Sequence, residues 1–157
     1  MNDDHGAPRL YDGYCYWVVR MGRSMRQHMS QRLFEHGLSE GMLGVLMSVE
    51  GSALDTPSAI AGYMDVDRSA ITRTLREMEQ RALVTTRKDG SDGRQRRITL
   101  TDEGIALLGA GTESARLTNA HYSSTLPEGM AEDVRRHFRR ILLAEQAGTA
   151  GQPLIGP

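Results

Sequence analysis

Val-Thr-Thr-Arg-Lys-Asp-Gly-Ser-Asp-Gly-Arg-Gln-Arg-Arg-Ile-Thr-Leu-Thr-Asp-Glu-Gly, residues 84–104, is the stretch whose reading decides the fold. Val84–Lys88 and Arg96–Leu100 each carry β-branched residues and predict two short strands. Between them Asp89, Gly90, Ser91, Asp92 and Gly93 supply the residues of a turn. The hairpin is loaded with arginine. A basic two-stranded ribbon placed directly after a helix has the shape of a DNA-binding wing.

The residues upstream supply that helix. Asp67 is placed to cap a helix start, because a carboxylate can accept from free backbone N–H groups. Ile71, Leu75, Met78 and Ala82 then recur at i, i+4, i+7 and i+11, which is one narrow apolar stripe at 100° per residue. Arg68 opens the helix, and Ser69, Thr72, Arg73 and Arg76 occupy the other face. Guanidinium groups grip guanine or phosphate, and hydroxyls reach phosphate or base edges, so this face suits the major groove. Further upstream, Thr56-Pro57 predicts an earlier helix running to about Tyr63, with Thr as cap and Pro at its first position. Met64-Asp65-Val66 then makes the turn to Asp67. The order is helix, turn, helix, wing. A basic helix face or a polar hairpin alone is usually only solvated surface; the order and spacing point to nucleic acid.

The chain resembles the MarR family of winged helix-turn-helix regulators. The resemblance rests on Ser58-Ala59-Ile60-Ala61, Val66-Asp67-Arg68-Ser69-Ala70-Ile71-Thr72-Arg73, Leu75-Arg76-Glu77-Met78-Glu79 and Leu83-Val84. Its most specific part is Asp92-Gly93-Arg94 followed by Leu100-Thr101-Asp102-Glu103-Gly104. It covers about residues 10–147. It implies a mainly α fold with a small β-wing: a winged helix-turn-helix lobe over residues 39–100, flanked by N- and C-terminal dimerisation helices at 10–36 and 102–147. The expected DNA-contacting set is Arg68, Ser69, Thr72, Arg73, Arg76, Asp92, Arg94 and Arg96, with Asp92 bracing Arg94 at the wing tip. The expected partner is double-stranded DNA, a pseudopalindromic operator bound by a homodimer with one recognition helix per half-site.

Composition agrees with a single chain-length unit over 1–157. The 157 residues are 25% charged and 39% hydrophobic, with a formal net charge of −1. That total conceals an uneven distribution. From Val66 to Arg97 there are nine Lys/Arg against five acids, a surplus of four positive charges, while the remainder carries a deficit of five. Local field matters more than total charge for steering to a polyanion. The acidic, polar start and the lack of a long apolar run predict no signal peptide and no membrane span, hence a cytoplasmic protein. The lone cysteine excludes an intrachain disulfide.

The ends read as helical framing. A long helix is predicted from about Asp12 to His36, stopped by Gly37, with Tyr14, Trp17, Val18, Met21, Met25, Met29 and Leu33 as its stripe. Ser39 is placed to cap the next helix, which carries Met42, Leu43, Leu46 and Val49. After the wing, Thr101 caps a helix to about Ser123, with Asp102 and Glu103 favourably placed in its first turn. Pro127 begins a last helix with Val134, Phe138, Ile141 and Leu142 apolar. Residues 148–157, rich in Gly and Pro, read as a flexible tail.

Catalysis is not expected. The histidines at 5, 28, 36, 121 and 137 form no metal-type pair, and neither a phosphate-binding glycine loop nor a nucleophile elbow is present. No metal or cofactor is expected. The resemblance implies a small-molecule effector, commonly an aromatic acid, held between the dimer helices and the DNA-binding lobe. Arg20 lies where aromatic-acid-responsive members place a carboxylate anchor, with Trp17 and Met21 as apolar wall; a solvent-facing arginine is the plainer alternative. Two other readings stand beside it. Cys15 falls near where the hydroperoxide-sensing branch keeps its reactive cysteine, but the tyrosines that branch sets four and fourteen residues on are here Val19 and Met29. A winged-helix module used only for protein interaction is the other.

Overall fold

The computed structural model describes residues 13–52, 54–88 and 96–148. The elements run α1 (Tyr14–Glu35), α2 (Glu40–Ser52), α3 (Pro57–Met64), α4 (Arg68–Gln80), β1 (Val84–Lys88), β2 (Arg96–Leu100), α5 (Asp102–Ser123) and α6 (Met130–Gln146). This is the mainly helical, small-winged architecture that the pattern predicts. Two compact units are present, one ending at Thr118 and the other starting at Asn119. No described helix is long and apolar enough to cross a membrane.

Local chemistry sets the boundaries. Gly37 adopts φ +65°, a conformation cheap only for glycine. The N–H groups of Gly37 and Leu38 then close the end of α1 on the carbonyls of Phe34 and Leu33, both at 2.9 Å. Ser39 Oγ accepts from the Met42 N–H at 3.2 Å and Thr56 Oγ1 from the Ala59 N–H at 3.3 Å, so both expected hydroxyl caps form. Asp67 sits at the N-cap of α4, but its side chain makes no capping hydrogen bond. Its backbone carbonyl accepts from Ala70 and Ile71 instead, at 2.9 and 3.3 Å. An exposed carboxylate gains little by exchanging water for a backbone donor.

The core lies where α2, α3, α4 and the hairpin meet. Leu33, Met42, Leu46, Ile60, Ile71, Leu75, Met78, Leu83 and Ile98 are all buried. Of the four-residue stripe expected on the recognition helix, Ile71, Leu75 and Met78 are in this core. Ala82 is not. It lies past the helix end at φ +53°, exposed, and turns the chain so that Leu83 enters the core. The left-handed residue breaks the helical periodicity on which the stripe was drawn.

The hairpin is antiparallel, with Val84 opposite Leu100, Thr86 opposite Ile98 and Lys88 opposite Arg96. Its turn, residues 89–95, lies outside the described residues, as do the expected tail after Gly148 and the chain start before Gly13. Thr101 fastens the far end of the hairpin. Its hydroxyl donates to Ala82 O at 2.7 Å and accepts from the Gly104 N–H at 3.1 Å, while its N–H donates to Leu83 O at 3.1 Å.

Helix α1 departs from the expected stripe in burial. Only Leu33 is buried; Met25 and Met29 are half-buried, and Tyr14, Trp17, Val18 and Met21 are exposed. In the second unit α6 starts at Met130 rather than at Pro127, because Gly129 takes φ +78° at its N-cap. Val134, Phe138 and Leu142 of α6 are exposed too.

Candidate nucleic-acid interface

Helix α4 buries Ile71, Leu75 and Met78, which turns Arg68, Ser69, Arg73 and Arg76 to solvent and leaves Thr72 half-buried. These residues line two hollows. One is a groove of about 560 Å³ between the start of α3, α4 and the hairpin, lined by Thr56, Ser58, Arg68, Thr72, Arg76, Glu79, Thr86 and Arg96 among others. The second is formed by Arg68, Ser69, Thr72, Arg73 and Arg76. Arg68, Thr72 and Arg76 belong to both and form the crest between them. Arg73 faces only the hollow away from the hairpin.

The cations of this surface differ from several elsewhere. Arg116, Arg135 and Arg136 are paired along their own helices with Glu113, Glu132 and Asp133, each at 2.7 Å. The Arg116 guanidinium, by hydrogen bonding, lowers the pKa of the exposed Glu113 carboxyl. Arg81 donates to Gly37 O at 2.7 Å and to Met42 Sδ at 3.3 Å, tying the end of α4 to the α1–α2 turn. By contrast, among the described residues Arg68, Arg73, Arg76 and Arg96 have no ion pair. A guanidinium without a carboxylate partner keeps all five donors for a ligand.

The strand pleat separates two neighbours. Arg96 lines the groove beside α4. Arg97 points the other way and is ion-paired with Asp55. Asp55 also accepts the Ile98 N–H on its backbone carbonyl at 2.8 Å. Only Arg96 of the two therefore belongs to the candidate surface. Thr72 carries a restriction as well: its hydroxyl donates to Arg68 O at 2.9 Å, leaving its lone pairs, and not its proton, for a ligand. Asp92 and Arg94 lie outside the described residues.

Two features of the surface escape sequence reasoning. Thr56 and Ser58 line the groove although their evident task is the start of α3. Glu79 places one carboxylate among the cations. Arg87 is exposed on the outward hairpin face opposite Arg97, off this groove.

The expected effector residues divide. Arg20 donates to Tyr16 Oη at 3.0 Å. It shares a shallow depression of about 570 Å³ with Gly13, Cys15, Tyr16, Val19 and Arg23. Trp17 and Met21 lie outside it on the neighbouring helix face, 56% and 50% exposed. Cys15 is a free, exposed thiol. Among the described residues no three His, Cys, Asp or Glu side chains are grouped to hold a metal ion.

Comparison with known proteins agrees with this geometry. The MarR family model matches residues 36–95, from the α1–α2 turn to the hairpin. A candidate transcriptional regulatory protein for the hcr operon of Thauera aromatica is 25% identical over 92 residues, 59% of this chain; the match spans only 55% of that relative's length. Among solved structures, the M. tuberculosis transcriptional regulator MOSR in complex with DNA superposes with a TM-score of 0.69 at 27% identity, covering 86% of this chain and 97% of that one. CouR from Rhodococcus jostii, bound to p-coumaroyl-CoA, shares the fold with a TM-score of 0.75 at 22% identity, covering 96% of this chain and all (100%) of that one.

Proposed function

We propose that the chain, whose residues 36–95 match the MarR family and which shares the fold of its winged-helix transcriptional regulators, is a homodimeric repressor that binds duplex DNA and is released by a small anionic ligand. The observation that carries DNA recognition is the unpaired cationic face of α4 beside the hairpin. Arg68, Ser69, Thr72, Arg73 and Arg76 enter the major groove, Arg96 grips a flanking phosphate, and Arg94, braced by Asp92, enters the minor groove at the wing tip. The DNA complex of the structural relative supports the same use of the lobe. The test is a titration against a duplex that the protein itself selects from a random library. Binding should weaken steeply with salt, because each neutralised phosphate releases counterions.

Dimerisation rests on exposed apolar side chains. Tyr14, Trp17, Val18 and Met21 on α1, and Val134, Phe138 and Leu142 on α6, are at least 37% exposed. Large apolar side chains left exposed along a helix face mark an association face. Two half-site contacts then supply the affinity that one cannot.

For the effector, Arg20 is the proposed anchor, and the aromatic thioester held by the CouR relative supports an aryl ligand class. A second reading has its own observation. Cys15 is exposed on the wall of the depression that Arg20 lines, so an oxidant reaching that depression meets a thiol.

A further inference from the structure

Among the described residues, Asp55 joins the hairpin to the loop that opens the helix-turn-helix. Its carboxylate holds Arg97, its carbonyl holds the Ile98 N–H at 2.8 Å, and the next residue, Thr56, caps α3. Two successive residues of β2 are thus fixed to the residue that precedes the N-cap of α3. The hairpin is a two-stranded ribbon that packs Val84 and Ile98 into the core. After β2, Thr101 binds it to the exit of α4. The middle of β2 and its C-terminal exit are therefore both referenced to the helix-turn-helix.

We infer that Arg97 is a positioning residue of the wing and not a DNA contact: Asp55 withdraws it from the cationic surface and uses it to set the pitch of the hairpin against α4. Three facts carry this. Arg97 and Arg96 lie on opposite hairpin faces, and only Arg96 lines the groove with α4. Arg97 stands opposite Arg87 across the ladder, a like-charge pair that favours separation unless one member is neutralised. Asp55 supplies that neutralisation, and its side chain is only 34% exposed against 53% for Arg97, so the carboxylate is the more fixed member. A fixed carboxylate directs a guanidinium better than a mobile one.

The inference rests on the DNA-binding reading but can be tested in its absence. Amide exchange at Ile98 in the full-length protein reports the latch directly. Asp55→Asn and Arg97→Ala should each speed exchange at Ile98, while the amide of Met78 in the core stays as protected as in the unsubstituted protein. Arg97→Lys should restore part of the protection. Unchanged exchange at Ile98 in both variants overturns the latch, whether or not any DNA is bound.

DNA titration distinguishes the rest. On a duplex selected by the unsubstituted protein, Arg97→Ala and Asp55→Asn should each weaken binding by roughly two- to fivefold, the range of a partly exposed ion pair. The double variant should be no weaker than either single one, because both remove the same interaction. The slope of log affinity against log salt should stay unchanged, whereas Arg96→Ala should lower it by about one phosphate's worth. If Arg97→Ala lowers the slope while Asp55→Asn tightens binding, Arg97 is a phosphate contact that Asp55 holds back, and the inference is overturned. If the unsubstituted protein selects no duplex, the DNA reading fails and the exchange experiment alone decides the latch.

Discussion

Adjacent arginines Arg96 and Arg97 project to opposite faces of β2, and strand pleating alone assigns them different neighbours. The same distinction applies along α4. Arg76 faces both hollows of the candidate interface and Arg73 only the outer one. Whichever of the two reads a base should, on replacement by Ala, reduce the preference for a selected duplex over random duplex. Whichever grips phosphate should weaken both alike and reduce the salt slope by about one unit. Titrations on both duplexes at several salt concentrations measure this, and a pair of variants indistinguishable from the parent would remove α4 from the interface. At the wing tip Arg94→Ala should cost about 1–3 kcal/mol of DNA binding with no loss of fold, as followed by thermal unfolding.

The elements are held together by short-range chemistry at a few junctions, and the Thr101–Gly104 pair is the tightest. A Cβ on Gly104 would lie 2.1 Å from Leu83 O, a backbone atom that cannot swing aside. Gly104 is therefore required by close approach of α5 to the end of α4, and the motif Leu100-Thr101-x-x-Gly104 is a clamp and not a DNA contact. Gly104→Ala should destabilise the protein by roughly 1–3 kcal/mol or more through overpacking, read from the urea midpoint. Gly62, with nothing within 4 Å of its hypothetical Cβ, is the control: Gly62→Ala should be neutral or slightly stabilising. Equal midpoints for the two variants would contradict the clamp.

At the scale of the whole molecule, the exposed apolar side chains of α1 and α6 are the observation behind the proposed dimer. The protein should elute at about twice its 17.4 kDa chain mass at micromolar concentration. Val18→Asp, at a position 37% exposed in the single chain, should yield a folded monomer that no longer holds a selected duplex. A monomer that binds as tightly as the parent would rule out the two-half-site model. Release of DNA should need a ligand that prefers the DNA-incompetent state, since equal affinity for both shifts nothing. Arg20→Ala should keep DNA binding and lose the response to an aromatic acid, and Cys15→Ser should keep both. Loss of response in Cys15→Ser alone, with peroxide as inducer, would favour thiol chemistry instead.

Sequence alone determined the element order, the strand limits at Val84–Lys88 and Arg96–Leu100, the hydroxyl caps at Ser39, Thr56 and Thr101 and the stop at Gly37. These depend on residues within four positions of one another, so local spacing records them. It also determined which α4 residues face the core, because helical periodicity is local until Ala82 turns left-handed. What only the tertiary structure decided involves partners far apart in the chain. Arg97 finds Asp55 forty-two residues away and Arg81 finds Gly37 forty-four away, and both leave the pool of cations available to DNA. Nothing in an arginine's own neighbourhood tells which carboxylate or carbonyl folding will bring to it. The apolar stripe of α1 has the same limit: it records that a face is to be covered, and not whether its own chain supplies the cover.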